Sequence, residues 1–461
     1  MNLWSILREK LLANGDKTFV EEDNVYCFRA ILQEAELLSK KLTYPCYGIL
    51  CSSELRTAIS ILACIAADVI AVPLSKRYGD VHCRRIIHQA GLCYLIADEG
   101  INGEFVVKQV SEIPFEVPEG EKPVLIMYTS GTTGHPKGAM ISQENLLCNL
   151  NDISRYFKIL PSDRILITRP LYHCAVLTGE FLISILKGLD IVFYSGKFNP
   201  FAVCSAIRDK QITVMGGTPT LFYHMVSMEK RLKACKSLRV IVTSGECMTP
   251  TVADRIRETF ADVYIYNVYG LTEASPRVAY LPPSLFALHA TSVGYPLHSL
   301  QAKIILDTGE EAPPGMDGEL IVKGASVMLG YYGDAEMTAE KIREGWLYTG
   351  DIASISEDGL ITIKCRKDNL IIKSGMNIYP QEIENEIKQC DGIREAYVYA
   401  RNDLKGRVLI CLLVEAEGVT TDHVAEYCRV HLPLYEVPDA IRIVESIPRN
   451  GSGKINRKAE Y

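Results

Sequence analysis

Short, uninterrupted apolar runs alternate with helix-like segments along most of this chain, and that alternation restricts the fold more than anything else in the sequence. Tyr47–Cys51, Val69–Pro73, Arg164–Thr168, Asp190–Tyr194, Val240–Thr243 and Val263–Tyr266 each read as a short strand. Continuous apolar strands of this kind belong to parallel sheets covered on both faces. Phe28–Leu42 and Thr57–Ala67 space their apolar residues as helices. The expected class is α/β, with parallel-type sheets under covering helices. After about residue 300 the texture changes. Ala302–Leu306, Gly318–Val322 and Leu360–Lys364 are short strands between Gly- and Pro-rich turns, which predicts a small β-barrel-like or antiparallel subdomain over 300–366. From Asn369 a compact α+β unit is expected. Its strands are Ile371–Ile372, Ala396–Ala400, Val408–Val414 and Ile441–Val444, and its helices are Pro380–Cys390 and Asp422–His431. The boundary falls at 366–369, giving domains 1–366 and 369–461.

Composition removes several classes of function. Apolar residues make up 48% and charged residues 23% of the 461, which fits a globular protein and excludes a disordered or fibrous one. A net charge of −7 carries no basic patch for nucleic acid or a membrane surface. The fifteen cysteines are scattered, with no CxxC, which argues against a zinc site and a disulfide scaffold and for thiols in a reducing cytosol. The N-terminus has charges at Arg8, Glu9 and Lys10 and no signal-peptide core. The most apolar stretch, Thr57–Leu74, contains Ser60, Asp68 and Pro73 and reads as a buried helix entering a strand rather than a membrane span. A soluble, cytoplasmic protein is expected.

The strongest local signal is the run from Val124 to Gly138. A strand leads into Thr129, Ser130, Gly131, Thr132, Thr133 and Gly134, with Lys137 and Gly138 behind them. Glycines allow backbone N–H groups to approach phosphate oxygens, hydroxyls donate further hydrogen bonds, and a lysine adds positive charge. The spacing is not that of the GxxxxGK[ST] loop. A plain polar turn between strands is the competing reading, and the density of hydroxyls, glycines and a lysine weighs against it. The segment YTSGTTGHPKG resembles the AMP-binding signature of the adenylate-forming superfamily: acyl- and aryl-CoA synthetases, peptide-synthetase adenylation domains and luciferases. Further segments match in order. They are Pro170-Leu-Tyr-His173, Ser244-Gly-Glu-Cys247, Asn267-Val-Tyr-Gly-Leu-Thr-Glu273, Gly318-Glu-Leu, Val327-Met-Leu-Gly-Tyr-Tyr332, Trp346-Leu-Tyr-Thr-Gly-Asp351, Arg366-Lys-Asp368, the run from Gly375 to Glu384, and Pro448-Arg-Asn-Gly-Ser-Gly-Lys454.

The resemblance implies a large N-terminal domain of two parallel-type sheets and a small, mobile C-terminal lid that carries the catalytic lysine, Lys454. It also implies roles. Thr129 to Gly134 and Lys137 would bind ATP phosphates. Gly245, Glu246, Cys247, Asn267, Tyr269 and Gly270 would line the adenosine site, with Tyr269 stacked on adenine. Asp351 would accept from the ribose hydroxyls, with Arg366 beside it. Thr272 would touch the α-phosphate, and Glu273 with Thr133 would hold Mg²⁺. His173 would gate an acid pocket that includes Cys174, Val176, Gly217 and Thr218. Asp368 would be the hinge, and Gly375 would border the thiol tunnel. Each residue also has a plain structural reading. Asp351 alone would pass as a solvated loop residue, His173 and Tyr269 as core residues, Glu273 as a helix cap and Lys454 as part of a solvated tail. Glu180, about two helical turns past His173, either reaches the pocket or faces solvent.

The function implied is ATP-dependent activation of a carboxylic acid to acyl-AMP, then transfer to the thiol of coenzyme A. One alternative is a ligase that loads the phosphopantetheine thiol of an acyl or aryl carrier protein. Another is an ATP-binding regulatory protein without turnover, against which Lys454, Glu273 and Asp351 argue. Cys174 stands where amino-acid-activating members carry Asp, which disfavours an α-amino acid. No long apolar insert suggests a fatty-acyl tunnel, so a short acyl or aryl acid is expected.

Overall fold

The computed structural model describes the chain except residues 1, 76–79, 100–103, 113–114, 131–135, 197–198, 227, 229–235, 374–375, 403–406, 450–454 and 456–461, and the side chains of 80–82 and 130. The chain divides into two compact units: residues 1–302, 321–349 and 359–361 form one, and 303–320, 350–358 and 362–461 the other. The β-rich segment expected over 300–366 is thus shared between them.

The first unit contains a nine-stranded and a seven-stranded sheet. The middle of the larger is parallel, in the order Tyr264–Gly270, Val240–Thr243, Val214–Gly217, Arg164–Ile167, Asp190–Phe193 and Thr18–Glu21. Antiparallel strands close both sides: Asn24–Cys27 at one edge, Arg277–Leu281 and then Tyr295–Pro296 at the other. In the smaller sheet Tyr94–Glu99, Cys46–Ile49, Ile70–Pro73 and Pro123–Ser130 are parallel. Pro136–Ser142 returns antiparallel from the last of these and carries Gly330–Tyr331 on its far side. Each apolar run read as a strand within 47–266 is one, with ends moved by a few residues.

The expected parallel strands are buried because helices pack against them. Helix Glu54–Ala66 hides Leu55, Ala58, Ile59, Ile61, Leu62, Ala63, Cys64 and Ile65. A helix apolar on nearly every side has to lie inside a protein. Its residues share one cluster with Tyr47, Ile49 and Leu125 of the smaller sheet and with Phe19, Ile165, Ile191 and Val242 of the larger. The apolar stretch 57–74 is accordingly a buried helix feeding a strand. Among the described residues no helix is long and apolar enough to cross a membrane. Each fully buried Leu, Ile or Phe contributes about 1.5–3 kcal/mol relative to exposure.

Leu300–Ile305, Gly318–Gly324, Trp346–Ile355, Ile342–Arg343 and Ile361–Arg366 make a five-stranded sheet centred on Trp346–Ile355. In the second unit Ile393–Asn402 pairs antiparallel with Val408–Ala416, which pairs parallel with Ala440–Val444. Helices Pro380–Ile387 and Thr421–His431 supply Ile383, Ile387, Val424 and Cys428 to a core with Val398, Leu412 and Val414. These are the α+β elements expected after residue 369.

Candidate active site

The loop that dominates the sequence joins two antiparallel strands. Tyr128 lies opposite Gly138, Thr129 opposite Lys137, and Ser130 opposite Pro136. Gly131, Thr132, Thr133 and Gly134 lie outside the described residues, as does the side chain of Ser130. Thr129 and Lys137 therefore face each other where the loop leaves the hairpin. The Lys137 Nζ sits 3.5 Å from Met337 Sδ and 5.7 Å from the centre of the Tyr331 ring. The Tyr331 hydroxyl donates to Glu273 Oε1 at 2.7 Å. Lys137, Tyr331 and Glu273 form one line, with a cation and a carboxylate on either side of a tyrosine. It assembles because Gly330–Tyr331 pairs with Ala139 and Met140 on the strand that carries Lys137. The Met328 N–H also donates to the Glu273 carbonyl at 2.9 Å.

Glu273 and Thr272 belong to a three-residue 3₁₀ turn, Thr272–Ala274. Glu273 caps no long helix; it is half-buried and held by Tyr331. The turn follows strand Tyr264–Gly270, whose register shifts between Tyr269 and Gly270. A side chain at Gly270 would come within 2.1 Å of the Pro276 carbonyl, so the bend requires glycine there. Tyr269 is half-buried at the strand's end rather than in the core. Asn267, expected beside the nucleotide, is 2% exposed. Its amide donates to the carbonyls of Ala290 and Ser292 and accepts from Thr243 Oγ1, so the side chain is engaged within the fold. Gly245, Glu246 and Cys247 are exposed on the loop after Val240–Thr243, and Glu246 Oε2 accepts from Thr220 Oγ1 at 2.6 Å.

His173 is exposed at the N-terminus of a helical run, which corrects the core alternative. Its ring lies 4.1 Å from that of Tyr172. The turn before it is pinned by Glu54, whose Oε2 accepts from the Leu171 N–H at 2.9 Å. Cys174 follows, 3% exposed, and burial first, then the nearby charge of Glu273, push its thiol up to about 12. Val176 is fully buried. The run continues as a π-helical segment, Leu177–Leu182, before returning to α-helix at Ile183–Lys187. Segments of this kind recur at functional sites. Gly217 is buried, and Thr218 Oγ1 accepts from the Leu221 N–H at 3.2 Å, capping helix Pro219–Val226. The carboxyl ends of Arg164–Ile167, Val214–Gly217, Val240–Thr243 and Tyr264–Gly270 lead into these segments. That is the edge where open α/β sheets bind ligands.

In the second unit Asp351 is 6% exposed inside strand Trp346–Ile355, not on a solvated loop as its plain reading held. Arg366 Nη1 lies 3.1 Å from its Oδ1. A carboxylate so placed accepts further hydrogen bonds. Asp368 is exposed in a short 3₁₀ turn, Lys367–Asn369. Its neighbour Lys367 binds Glu319 at 2.8 Å, which raises the Lys367 ammonium above its ordinary range. Gly375 and Lys454 lie outside the described residues, but Arg449 and Ile455, on either side of the Lys454 segment, pair as an antiparallel bridge.

Comparison with known proteins decides what this arrangement belongs to. The profile of the AMP-binding enzymes matches residues 13–332, and that of the AMP-binding enzyme C-terminal domain matches 382–454. The chain belongs to the AMP-binding enzymes, within the adenylate-forming superfamily. Among its relatives, a feruloyl-CoA synthase of an Amycolatopsis species is 32% identical over 417 residues, 86% of this chain and 84% of the relative. A long-chain-fatty-acid–CoA ligase of Salmonella typhimurium is 35% identical over 345 residues, 73% of this chain and 61% of that one. The fold matches that of O-succinylbenzoate coenzyme A synthetase of Bacillus subtilis in complex with AMP, with a TM-score of 0.87, 23% identity, and coverage of 100% of this chain and 98% of the other.

The Bacillus subtilis O-succinylbenzoate coenzyme A synthetase has been solved in complex with ATP and a magnesium ion, and the residues here fit that ion. Among the described residues no three His, Cys, Asp or Glu side chains gather as a metal cluster. Mg²⁺ needs no such cluster, since one or two carboxylates plus phosphate oxygens and water suffice, and Glu273 is one carboxylate fixed at the loop. Two features escaped sequence reasoning. Tyr331 lay within a matched block without a role. Arg169 was unremarked, and it forms an ion pair with Glu180, which is buried inside the protein. Only a strand–helix geometry brings that pair together, so no spacing rule in the sequence announces it.

Proposed function

We propose that this AMP-binding enzyme is an acid–thiol ligase that activates a short acyl or aryl carboxylic acid and passes it to coenzyme A. The observation that carries the reading is the Lys137–Tyr331–Glu273 line at the mouth of the hydroxyl- and glycine-rich loop. The acid, with a pKa of roughly 4, is ionised at neutral pH and needs no general base. One carboxylate oxygen attacks the α-phosphorus of ATP, the bond to the bridging oxygen breaks, and pyrophosphate leaves. Lys137, the loop hydroxyls, Thr272 and Lys454 hold and neutralise the phosphates, so catalysis is positioning and charge stabilisation. When bound, Mg²⁺ supplies further neutralisation of phosphate charge, and Glu273 with Thr133 are the residues that hold it. In the second step the thiol sulfur attacks the acyl carbon, its proton passes to solvent, and AMP leaves carrying one oxygen of the original carboxylate.

His173 gates the acid, and Asp351 with Arg366 takes the ribose. Cys174 offers no carboxylate for an α-amino group. The named relatives act on an aryl acid and on long-chain fatty acids. The test is pyrophosphate release over a panel of aryl and acyl acids, each with and without coenzyme A. Acid-dependent release that turns over continuously only with coenzyme A is expected. Release without any acid dependence would defeat the reading, and continuous turnover with a holo carrier protein alone would move the acceptor to the carrier thiol.

A further inference from the structure

Helix Gln143–Tyr156 starts where the strand behind the phosphate loop ends. Ser142, the last residue of strand Pro136–Ser142, is its N-cap: Ser142 Oγ accepts from the Asn145 N–H at 3.2 Å, and Asn145 Oδ1 accepts from the Ser142 N–H at 2.8 Å. The hairpin that carries Thr129 and Lys137 is thus continuous with the helix. Asn145, Asn149, Asp152 and Tyr156 recur at steps of four, three and four, which puts them on one helix face. A neighbouring row, Leu146, Leu150 and Ile153, enters the core shared by the two sheets. The buried face of a helix is normally apolar. Here Asn145, Asn149 and Asp152 are 5%, 0% and 4% exposed.

Each member of this polar row holds a different segment. Asn145 Nδ2 donates to the Ala325 carbonyl at 2.8 Å, and Asp152 Oδ2 accepts from the Ser299 N–H at 2.9 Å. The Tyr156 hydroxyl accepts from Arg277 Nη1 at 2.6 Å. Asn149 makes the most contacts of this kind. Its Nδ2 donates to the carbonyls of Ala274 at 3.3 Å and Arg277 at 2.8 Å, and its Oδ1 accepts from the Arg277 N–H at 3.3 Å. Those groups bracket Ser275, which closes the Thr272–Ala274 turn with φ at 66°. Left-handed backbone is disfavoured for residues other than glycine, by about tenfold in population. Ser275 has no side-chain hydrogen bond to offset this, since its Oγ is buried with no partner among the described residues. The Asn149 amide instead grips both flanks of the left-handed residue.

We propose that Asn149 is a positioning residue: it fixes the turn through Ser275, and so sets where Thr272 and Glu273 stand against the hairpin that carries Lys137. The inference rests on the acid–thiol ligase reading, in which Glu273 serves Mg²⁺ and the phosphates. Met328 and Tyr331 hold Glu273 itself, and Asn149 holds the chain that leaves the turn. Without the amide, two carbonyls lose a buried donor, and Ser275 relaxes toward ordinary φ and takes the turn with it. The plain reading is that Asn149 only satisfies buried backbone groups. Ser275→Gly separates the two, because glycine adopts a positive φ freely.

The test is calorimetric titration of ATP into the full-length protein, with Mg²⁺ and with EDTA in its place. A carboxylate contact at a partly exposed site corresponds to about threefold in affinity, so the parent should bind ATP about threefold tighter with Mg²⁺. Asn149→Ala should bring that ratio close to one. Ser275→Gly alone should leave it as in the parent, and the Asn149→Ala/Ser275→Gly double variant should recover at least half of the loss. Pyrophosphate release should follow the same order. A role confined to folding would weaken ATP binding equally with and without Mg²⁺, and Ser275→Gly would restore nothing. If a thermal melt finds Asn149→Ala unfolded, Asn149→Ser carries the test, since its hydroxyl is too short to reach both carbonyls. No gain from Mg²⁺ in the parent, an unchanged ratio in the folded Asn149 variants, or no recovery in the double variant would overturn the proposal. Absence of pyrophosphate release with every acid would defeat the ligase reading, while the ATP titration still reports on Asn149.

Discussion

Asp351 is the residue where burial and charge conflict most openly. Its carboxylate is 6% exposed and pairs with Arg366. The family resemblance implies that it also accepts from the ribose hydroxyls. Hydrogen bonds to a charged group contribute roughly 1.5–3 kcal/mol each, so Asp351→Ala should raise the ATP dissociation constant by about tenfold or more. Titration calorimetry measures this, and an unchanged constant removes Asp351 from the site. Asp163, just before strand Arg164–Ile167 of the larger sheet, is a contrasting case. Burial pushes its carboxyl up, but Arg239, the Leu160 N–H and the Thr213 hydroxyl together hold it below its ordinary range. Its stabilising contribution is therefore complete above the unfolded value near ~3.9 and is lost as pH falls through the lower folded value. Asp163→Ala leaves Arg239 unpaired and should cost about 3 kcal/mol at pH 7, with ATP affinity unchanged. Denaturant melts of parent and variant should converge below about pH 4. A gap that widens in acid would contradict this.

At the scale of elements, the parallel strands were legible because strands buried on both faces are continuous apolar runs. Edge strands were less so. Asn24–Cys27 and Glu104–Gln109 are mostly exposed or half-exposed and carry no such run. Trp346–Asp351 was read as a binding motif and is the first part of a ten-residue strand, Trp346–Ile355, whose polar residues Thr349 and Asp351 interrupt the apolar pattern although both are buried. The π-helical turn at Leu177–Leu182 has no sequence signature, yet it carries Glu180 to Arg169 and Gly179 to Arg277. The phosphate loop was recognised by its residue types, whereas its seat on an antiparallel hairpin came only with the structure. The bend after Tyr269 gives the element-scale prediction. Gly270→Ala places a methyl against the Pro276 carbonyl and moves the Thr272–Glu273 turn. It should lower the rate of adenylate formation at least tenfold while ATP binding changes less. An equal loss in both would mean that the strand, not the turn, was damaged.

For the whole molecule, the account gives the two half-reactions different requirements. The family resemblance implies that Lys454 serves the first and leaves for the second, through rotation about Asp368. Asp368 is exposed in its 3₁₀ turn, so proline there removes no buried contact. Proline fixes φ near −65° and restricts that rotation. Asp368→Pro should release pyrophosphate at nearly the parent rate in a single turnover while thioester formation slows far more. Equal loss in both steps with an intact melt would sink the hinge. The central claim is that the acid's own oxygen joins the α-phosphorus. The most direct measurement labels both carboxylate oxygens of the acid with ¹⁸O and weighs the nucleotide product after thioester formation. The account predicts AMP carrying one labelled oxygen, with unlabelled pyrophosphate. Unlabelled AMP, or label appearing in inorganic phosphate alongside ADP, would contradict it.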